Sequence, residues 1–134
     1  MATVITNTAR DFKDLDLNFN VHPVKKDITK HTGEMAVINS VKNLILTNHY
    51  ERPFQPELGS NIRRMLFENL DTVTAASIER EITQTILNFE PRVRLQSVEV
   101  LAYPEKNGYQ ATIEFFIGNN TQVSQVSLFL ERNR

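Results

Sequence analysis

The sequence predicts an α+β domain in which helices come first and a three-stranded antiparallel meander follows. In residues 32–48 and 71–89, apolar residues recur every three or four positions, which is the period of an amphipathic helix. From residue 93 onwards, apolar and polar residues alternate, which is the period of a half-buried strand. Turn signals at 104–108 and 118–120 divide this last third into three strands. We expect these strands to pair antiparallel and to pack one face on the helices.

The composition is that of one domain without a strong charge bias. The chain has 134 residues, which is enough for a single hydrophobic core. It carries 15 Lys and Arg against 16 Asp and Glu, so we expect no nucleic-acid partner. There is no cysteine, which excludes disulfides, thiolate metal ligands and a cysteine nucleophile. No apolar run approaches the ~18 residues of a membrane span, and the first residues do not resemble a secretory signal, so we expect no membrane partner.

Residues 1–31 are predicted to form an extended arm, and residues 32–134 a single domain. The arm is polar and too poor in apolar residues to form a core of its own. Its apolar residues alternate, which suits a short strand. They are Leu15, Leu17, Phe19 and Val21.

The first helix is predicted to begin at Thr32 or Gly33 and to end near Asn48. Glu34 in its first turn favours the positive end of the helix dipole. Its apolar stripe is predicted to be core and consists of Met35, Ile38, Val41, Leu44, Ile45 and Leu46.

A loop rich in proline, glycine and polar residues is predicted for 48–61, with Phe54 and Leu58 as its apolar pins. Gly59 in this loop either adopts a positive φ or permits close packing. A short amphipathic segment follows at 62–70. Its apolar side is predicted to hold Ile62, Leu66, Phe67 and Leu70.

The clearest helix spans 71–89 and is capped by Asp71 or Thr74. Pro91 disfavours the helical conformation at Glu90, so the helix ends there. Its apolar stripe is Ala75, Ile78, Ile82, Ile86 and Phe89.

In the strand region, the apolar positions change from odd to even numbers near Gln96, which predicts a bulge. Phe115 and Phe116 face opposite sides of their strand, so one is core and the other is exposed or covered by a partner. The alternating apolar residues are Val98, Val100 and Ala102, then Ala111, Ile113, Phe115 and Ile117, then Val126, Leu128 and Leu130.

No catalytic, cofactor-binding or metal-binding residue is predicted, so we expect that the protein is not an enzyme. The histidines show no metal-ligand pattern, and nucleophile motifs and Gly-rich phosphate loops are missing. The three histidines are His22, His31 and His49. A glycosidase needs two carboxyl groups roughly 5–10 Å apart, one of them with a raised pKa. A chain with 16 acidic residues always offers candidate pairs, here among Glu57, Glu68, Asp71 and Glu90.

The segment Asn88-Phe89-Glu90-Pro91-Arg92 joins the long helix to the first strand, and two interpretations of its charges are open. In the first, Pro91 stops the helix and both charges are solvated. In the second, Glu90 and Arg92 belong to a specific polar contact, because a carboxylate at the negative end of a helix dipole is unfavourable without a nearby cation. Candidate cations are Arg92 itself, Arg52, Arg63, Arg64 or an arginine of another chain.

Several segments together resemble one protein family. They are Arg52-Pro53-Phe54 with Pro56-Glu57 and Gly59, then Leu66-Phe67-Glu68, then the triplet Glu90-Pro91-Arg92. In this order and spacing they resemble the baseplate wedge family of contractile-tail phages, the gene-twenty-five-like family with the historical label "lysozyme". That family also includes the small baseplate subunit of type VI secretion systems. The resemblance covers roughly residues 32–134. The first thirty residues resemble no family that we recognise.

The resemblance implies a structural subunit of the virion's tail baseplate, assembled in the host cytoplasm and present in several copies per sixfold baseplate. It implies that Glu90, Pro91 and Arg92 dock the subunit on larger baseplate wedge proteins. It implies no cofactor. Three residues of the loop are further candidates for partner binding, with a purely structural loop as the alternative. They are Arg52, Phe54 and Glu57.

The family's C-terminal fold is similar to the strand-exchange module of the tail sheath subunit. The resemblance therefore implies that the strands at 93–103, 109–117 and 121–131 offer an edge to the tail sheath protein and initiate sheath assembly. Unpaired sheet edges are templates for strand addition. On the last strand, the candidate partner-binding residues are Val126, Leu128 and Leu130. The alternative function is a peptidoglycan hydrolase of the baseplate, which only the family's label motivates.

Overall fold

The computed structural model describes residues 13–15, 24 and 30–132. The chain divides into two compact units, Met1–Ala36 and Val37–Arg134. In the residues the structure describes, no helix is both long enough and apolar enough to cross a membrane.

The first unit contains a small antiparallel pair of strands, β1 (Lys13–Leu15) and β2 (Lys30–Thr32). The strand predicted from the alternation of residues 15–21 overlaps β1 only at Leu15. The remaining alternating positions, Leu17, Phe19 and Val21, lie outside the described residues.

After Thr32, the predicted order of helices and then strands is confirmed. The elements are α1 (Glu34–Leu46), α2 (Ile62–Met65), α3 (Thr72–Phe89), β3 (Val93–Tyr103), β4 (Gly108–Ile117) and β5 (Val123–Glu131).

Helix α1 begins directly after Gly33, which has a φ of +64°. The buried stripe of α1 is narrower than predicted. Met35 in the first turn is 50% exposed, and Leu46 at the end of the helix is 58% exposed. At roughly 100° per residue, these two positions point more than 100° away from Val41 at the centre of the stripe. Their predicted place in the core is wrong. The buried residues of α1 within the second unit are Val37, Val41, Leu44 and Ile45.

Helix α2 is a single turn that ends at Met65, with Leu66 as its C-cap. Ile62 and Leu66 are buried as predicted. Phe67, predicted on the same apolar side, is 59% exposed. Because the helix has already ended, Phe67 does not continue its apolar face, and its predicted place on that side is wrong.

Helix α3 is capped by Asp71, whose Oδ1 accepts the Thr74 N–H at 2.7 Å. Four residues of the predicted stripe are buried, and Phe89 is half-buried. Two threonines, Thr74 and Thr85, are also buried and widen the buried face of this helix. The fully buried part of the predicted stripe is Ala75, Ile78, Ile82 and Ile86.

The three C-terminal strands form one antiparallel sheet in the order β3–β4–β5. The predicted bulge is confirmed, because the register of β3 against β4 shifts between Leu95 and Ser97. The predicted turns are confirmed as well: Asn107 has a φ of +51° before β4, and Gly118 has a φ of +56° after it.

The inner face of the sheet and the helices share the core of the second unit. Helix α3 packs against β3. Phe115 is fully buried and Phe116 is half-buried on the other face, as the alternation predicts. Tyr109 is also fully buried, and its hydroxyl donates to the Asn69 carbonyl at 3.1 Å, which ties β4 to the segment before α3.

Candidate functional site

The joint between α3 and β3 places a carboxylate inside the protein. Glu90 follows the last residue of α3, and its N–H donates to the Ile86 carbonyl at 3.0 Å. Pro91 then turns the chain, and the Val93 N–H donates back to the Glu90 carbonyl at 3.3 Å. Glu90 is only 4% exposed, although Pro91 beside it is exposed.

Three hydrogen bonds hold the Glu90 carboxylate. Arg92 Nε donates to Oε1 at 2.7 Å, and Arg92 Nη2 donates to Oε2 at 2.9 Å. The Ser40 hydroxyl of α1 donates to Oε2 at 2.7 Å. A planar guanidinium suits this two-bond geometry, which a lysine could not reproduce. The carboxylate thus connects α1, the end of α3 and the start of β3.

The electrostatics of the pair keep Glu90 ionised. Burial alone raises the pKa of the Glu90 carboxyl, but the hydrogen bonds from Arg92 and Ser40 and the charge of Arg92 outweigh it and leave the pKa below its ordinary value. The same guanidinium offsets the unfavourable position of a carboxylate at a helix C-terminus. The interpretation with two solvated charges is therefore wrong, and the cation beside Glu90 is Arg92 of the same chain.

The backbone of Arg92 is fixed by the turn between β4 and β5. The Gly118 N–H donates to the Arg92 carbonyl at 2.8 Å. Two residues further along β3, the Arg94 guanidinium donates to the carbonyls of Gly118 and Asn120 at 3.1 and 3.2 Å. It also lies over the Phe116 ring, 5.4 Å from the centroid, at cation–π distance. The start of β3 is thus held by both backbone and side-chain contacts.

Only part of the triplet can be reached from outside the chain. The Arg92 side chain is 30% exposed, whereas that of Glu90 is 4% exposed. Pro91 is exposed. Direct contact of the Glu90 carboxylate with another chain, as expected from the sequence, is not available in this conformation, so contact would go through Pro91 and Arg92.

The loop between α1 and α2 is closed at its base by backbone contacts. The Ser60 N–H donates to the Thr47 carbonyl at 2.8 Å, and the buried Ser60 hydroxyl donates to the Ile45 carbonyl at 2.7 Å. Gly59 has a φ of +123°, and a Cβ at this position would lie 2.5 Å from the Thr47 carbonyl oxygen. Both reasons considered for a glycine here, positive φ and close packing, therefore apply.

The tip of this loop presents its side chains to solvent. Phe54, predicted as an apolar pin, is 97% exposed, so that prediction is wrong; Leu58 is half-buried. Across the tip, the Tyr50 N–H donates to the Pro56 carbonyl at 2.7 Å, which holds the backbone in place. The three candidate partner-binding residues, Arg52, Phe54 and Glu57, are all exposed. Their accessibility is compatible with a partner role, which stays a prediction.

Strands β3 and β5 are the two edges of the three-stranded sheet. The candidate partner-binding residues of β5 are buried: Val126 is 3%, Leu128 9% and Leu130 4% exposed. Their side chains belong to the core of the second unit, so the backbone of β5 is what this chain offers to an added strand, and the partner-binding role of these three residues stays a prediction. A cavity of 220 Å³ lies beside β5 and is lined in part by Ile45, Leu46, Ile62 and Leu66.

The carboxyl groups with shifted pKa values do not favour acid catalysis. A general acid needs a raised pKa. The pKa of Asp71 is lowered because its carboxylate accepts hydrogen bonds from Thr74, and that of Glu90 is lowered as described. In the part of the chain that the structure describes, no group of three or more His, Asp or Glu residues could hold a metal ion.

Ser40 is the residue of the joint that sequence analysis missed. It lies 50 positions before Glu90 in the chain, so no local pattern connects the two. One signal could have drawn attention to it. Ser40 follows Val37 by three positions and precedes Leu44 by four, so it lies on the apolar stripe of α1, where a polar group needs a partner.

Comparison with known proteins identifies the class as baseplate wedge proteins. The family profile described as "Baseplate wedge protein gp25" matches residues 31–124. Baseplate wedge protein gp25 of Enterobacteria phage T4 is 30% identical over 129 residues, covering 94% of this chain and 96% of that protein. The chain belongs to the baseplate wedge protein gp25 family and is thus a wedge protein of a contractile-tail baseplate. The T4 alignment is longer than residues 32–134, so it extends into the N-terminal arm, where no resemblance was recognised.

Two solved structures confirm the fold. A Geobacter sulfurreducens protein, provisionally named a tail lysozyme, superposes with a TM-score of 0.70 at 22% identity, covering 75% of this chain and 92% of that one. A chain of the anti-feeding prophage baseplate superposes with a TM-score of 0.64 at 19% identity, covering 92% of this chain and 88% of that one. At these identities the likeness concerns the fold alone.

Proposed function

We propose that this protein docks on the larger wedge proteins of its baseplate through Arg92, held in place by Glu90, and then initiates the tail sheath by strand addition. It acts in several copies in a sixfold tail baseplate, without chemical turnover. The observation that carries the proposal is the pairing of a buried Glu90 carboxylate with a partly exposed Arg92 guanidinium through two hydrogen bonds. Membership of a baseplate wedge family supports the same role.

The value of the pair lies in preorganisation. A free arginine side chain loses rotamer freedom when a partner immobilises it, which weakens binding. Here Glu90 fixes the guanidinium before docking, and Ser40 in turn fixes Glu90. The exposed part of Arg92 therefore meets acceptor groups of the larger wedge proteins in one orientation. Pro91 adds an exposed apolar surface beside it.

The edge that receives the sheath protein is β5. Strand β3 has a bulge between Leu95 and Ser97 and carries Arg94 and Glu99, features that discourage further pairing. Strand β5 pairs in unbroken register, contains no proline, and has a charged residue only at its last position, Glu131. The cavity beside β5 offers apolar residues to alternate side chains of an added strand.

Co-purification tests the docking part of the proposal. The tagged protein is produced together with the wedge proteins of its own baseplate, and retention of those proteins is measured. We expect the wild type to retain them and Arg92→Glu to lose them. Arg80→Glu is the matched control, because Arg80 is an exposed residue of α3 and undergoes the same change of charge. Equal retention by both variants, with the fold intact, would contradict the docking role of Arg92.

A further inference from the structure

A second surface, between the loop and α2, has the features of a peptide-binding groove. It is an open depression of 610 Å³, here called the α2 groove. Five of the residues that line it are aromatic or can carry a positive charge. They are His49, Tyr50, Arg63, Arg64 and Phe67.

Two aromatic rings stand exposed in the α2 groove. Tyr50 is 83% and Phe67 59% exposed. Tyr50 has a φ of +66°, which is uncommon for a bulky residue and points to a functional constraint. Its N–H bond to the Pro56 carbonyl holds this conformation. Exposed aromatic rings on a fixed backbone are typical anchors of protein interfaces.

Two guanidinium groups give the α2 groove its charge. Arg63 and Arg64 are both exposed, and neither side chain has a hydrogen bond or an ion pair with any residue the structure describes. The described residues that line the groove include no Asp or Glu. Two adjacent unpaired arginines beside aromatic rings are therefore complementary to carboxylates.

The rim of the groove is fixed rather than loose. The Asn61 N–H donates to Glu81 Oε1 of α3 at 2.9 Å, just before the two arginines. On the other side, His49 Nδ1 lies 3.1 Å from the Glu57 carbonyl, at hydrogen-bond distance. Both walls are thus held to the rest of the second unit, so a ligand need not order them.

We propose that the α2 groove binds an acidic segment of another protein subunit. Carboxylates of that segment pair with Arg63 and Arg64, and an apolar side chain packs between Tyr50 and Phe67. A nucleic acid fits less well, because a long polyanion needs an extended basic surface, and the chain as a whole has a net charge of −1. Arg92 does not line the α2 groove, so different substitutions test the groove and the docking joint.

Site-specific photo-crosslinking in the assembled baseplate tests the inference. A photoreactive phenylalanine analogue replaces Phe67, and in the control protein it replaces Leu101, which is 47% exposed on β3. The crosslinked partner peptide is then sequenced. We expect position 67 to join a protein segment with several Asp or Glu residues. Adding Arg63→Glu and Arg64→Glu should reduce that crosslink about tenfold, because two charge pairs become repulsive.

Three results would overturn the inference. The first is a crosslink yield at position 67 no higher than at position 101. The second is a crosslink to nucleic acid or to a neutral or basic protein segment. The third is an acidic crosslink that the charge reversal leaves unchanged while the variant stays folded.

Discussion

Arg92 binds both carboxylate oxygens of Glu90, at 2.7 and 2.9 Å, across the single proline that separates the two residues in the chain. Because the partners are two positions apart, the pair is a local contact that joins the end of α3 to the segment before β3. Ser40 then anchors this local unit to α1. The end of α3 thereby presents a guanidinium that is held in place and 30% exposed, as the proposed docking role requires.

Stability should depend on pH through Glu90. The folded-state pKa of this carboxyl is lowered, so its contribution is present above its unfolded value of about 4.3 and is lost as the pH falls through the folded value. We expect the wild type to exceed Glu90→Gln in free energy of unfolding at neutral pH, and the difference to shrink below about pH 5. Urea unfolding from neutral to acidic pH measures it. The pKa of Asp71 is lowered too, but its effect is the same in both proteins and cancels in the comparison. If the difference in free energy of unfolding between wild type and Glu90→Gln did not change with pH, the ionised state assigned to Glu90 would be contradicted.

Removing the Ser40 hydroxyl should destabilise the protein. Ser40→Ala takes one of three hydrogen bonds from a buried carboxylate, and a bond to a charged group contributes about 1.5–3 kcal/mol. Ser77→Ala on α3 is the control, because its hydroxyl bonds only to the Val73 carbonyl within the same exposed helical turn. Chemical unfolding compares the two. Similar small losses would mean that Ser40 does not anchor the joint.

The loop between α1 and α2 should be sensitive to a methyl group at Gly59. Gly59→Ala would place Cβ 2.5 Å from a backbone oxygen at a φ of +123°, so we expect a loss of about 3 kcal/mol. Gly118→Ala is matched in residue type, but it has a φ of +56° and nothing within 4 Å, so about 1 kcal/mol is expected. Thermal unfolding of both variants provides the comparison, and a larger loss at Gly118 would refute the close approach.

Strand addition should occur beside β5 rather than β3. Ser127 and Glu99 lie at the same level of the sheet, both opposite Thr112, and both are exposed. The chain has no cysteine of its own, so Ser127→Cys and Glu99→Cys each introduce a unique thiol. When cysteines are placed along the arm of the sheath protein, we expect disulfides to form with the Ser127→Cys variant. Preferential crosslinking at 99 would move the proposed site to the opposite edge.

Local features of the fold could be predicted from the sequence, and distant contacts could not. The bulge near Gln96 follows from a change of phase in the apolar pattern, and the end of α3 follows from Pro91, because both depend on neighbouring residues. The Ser40 hydrogen bond joins positions 50 apart and has no such signature. Phe54 and Phe67 were predicted to make apolar contacts because their side chains are apolar, but they are 97% and 59% exposed. Side chains at binding surfaces are apolar without being core, so a pattern of hydrophobicity cannot separate the two.

The most direct test is the affinity of the purified larger wedge proteins for wild type and for Glu90→Gln at neutral pH. Calorimetry or interferometry gives both dissociation constants, at a temperature where both proteins are folded. Glu90→Gln keeps Arg92 but removes the charge that orients it, so we predict binding about tenfold weaker. Equal affinity, with the variant shown to be folded, would mean that the Glu90–Arg92 pair stabilises the end of α3 and does not prepare Arg92 for docking.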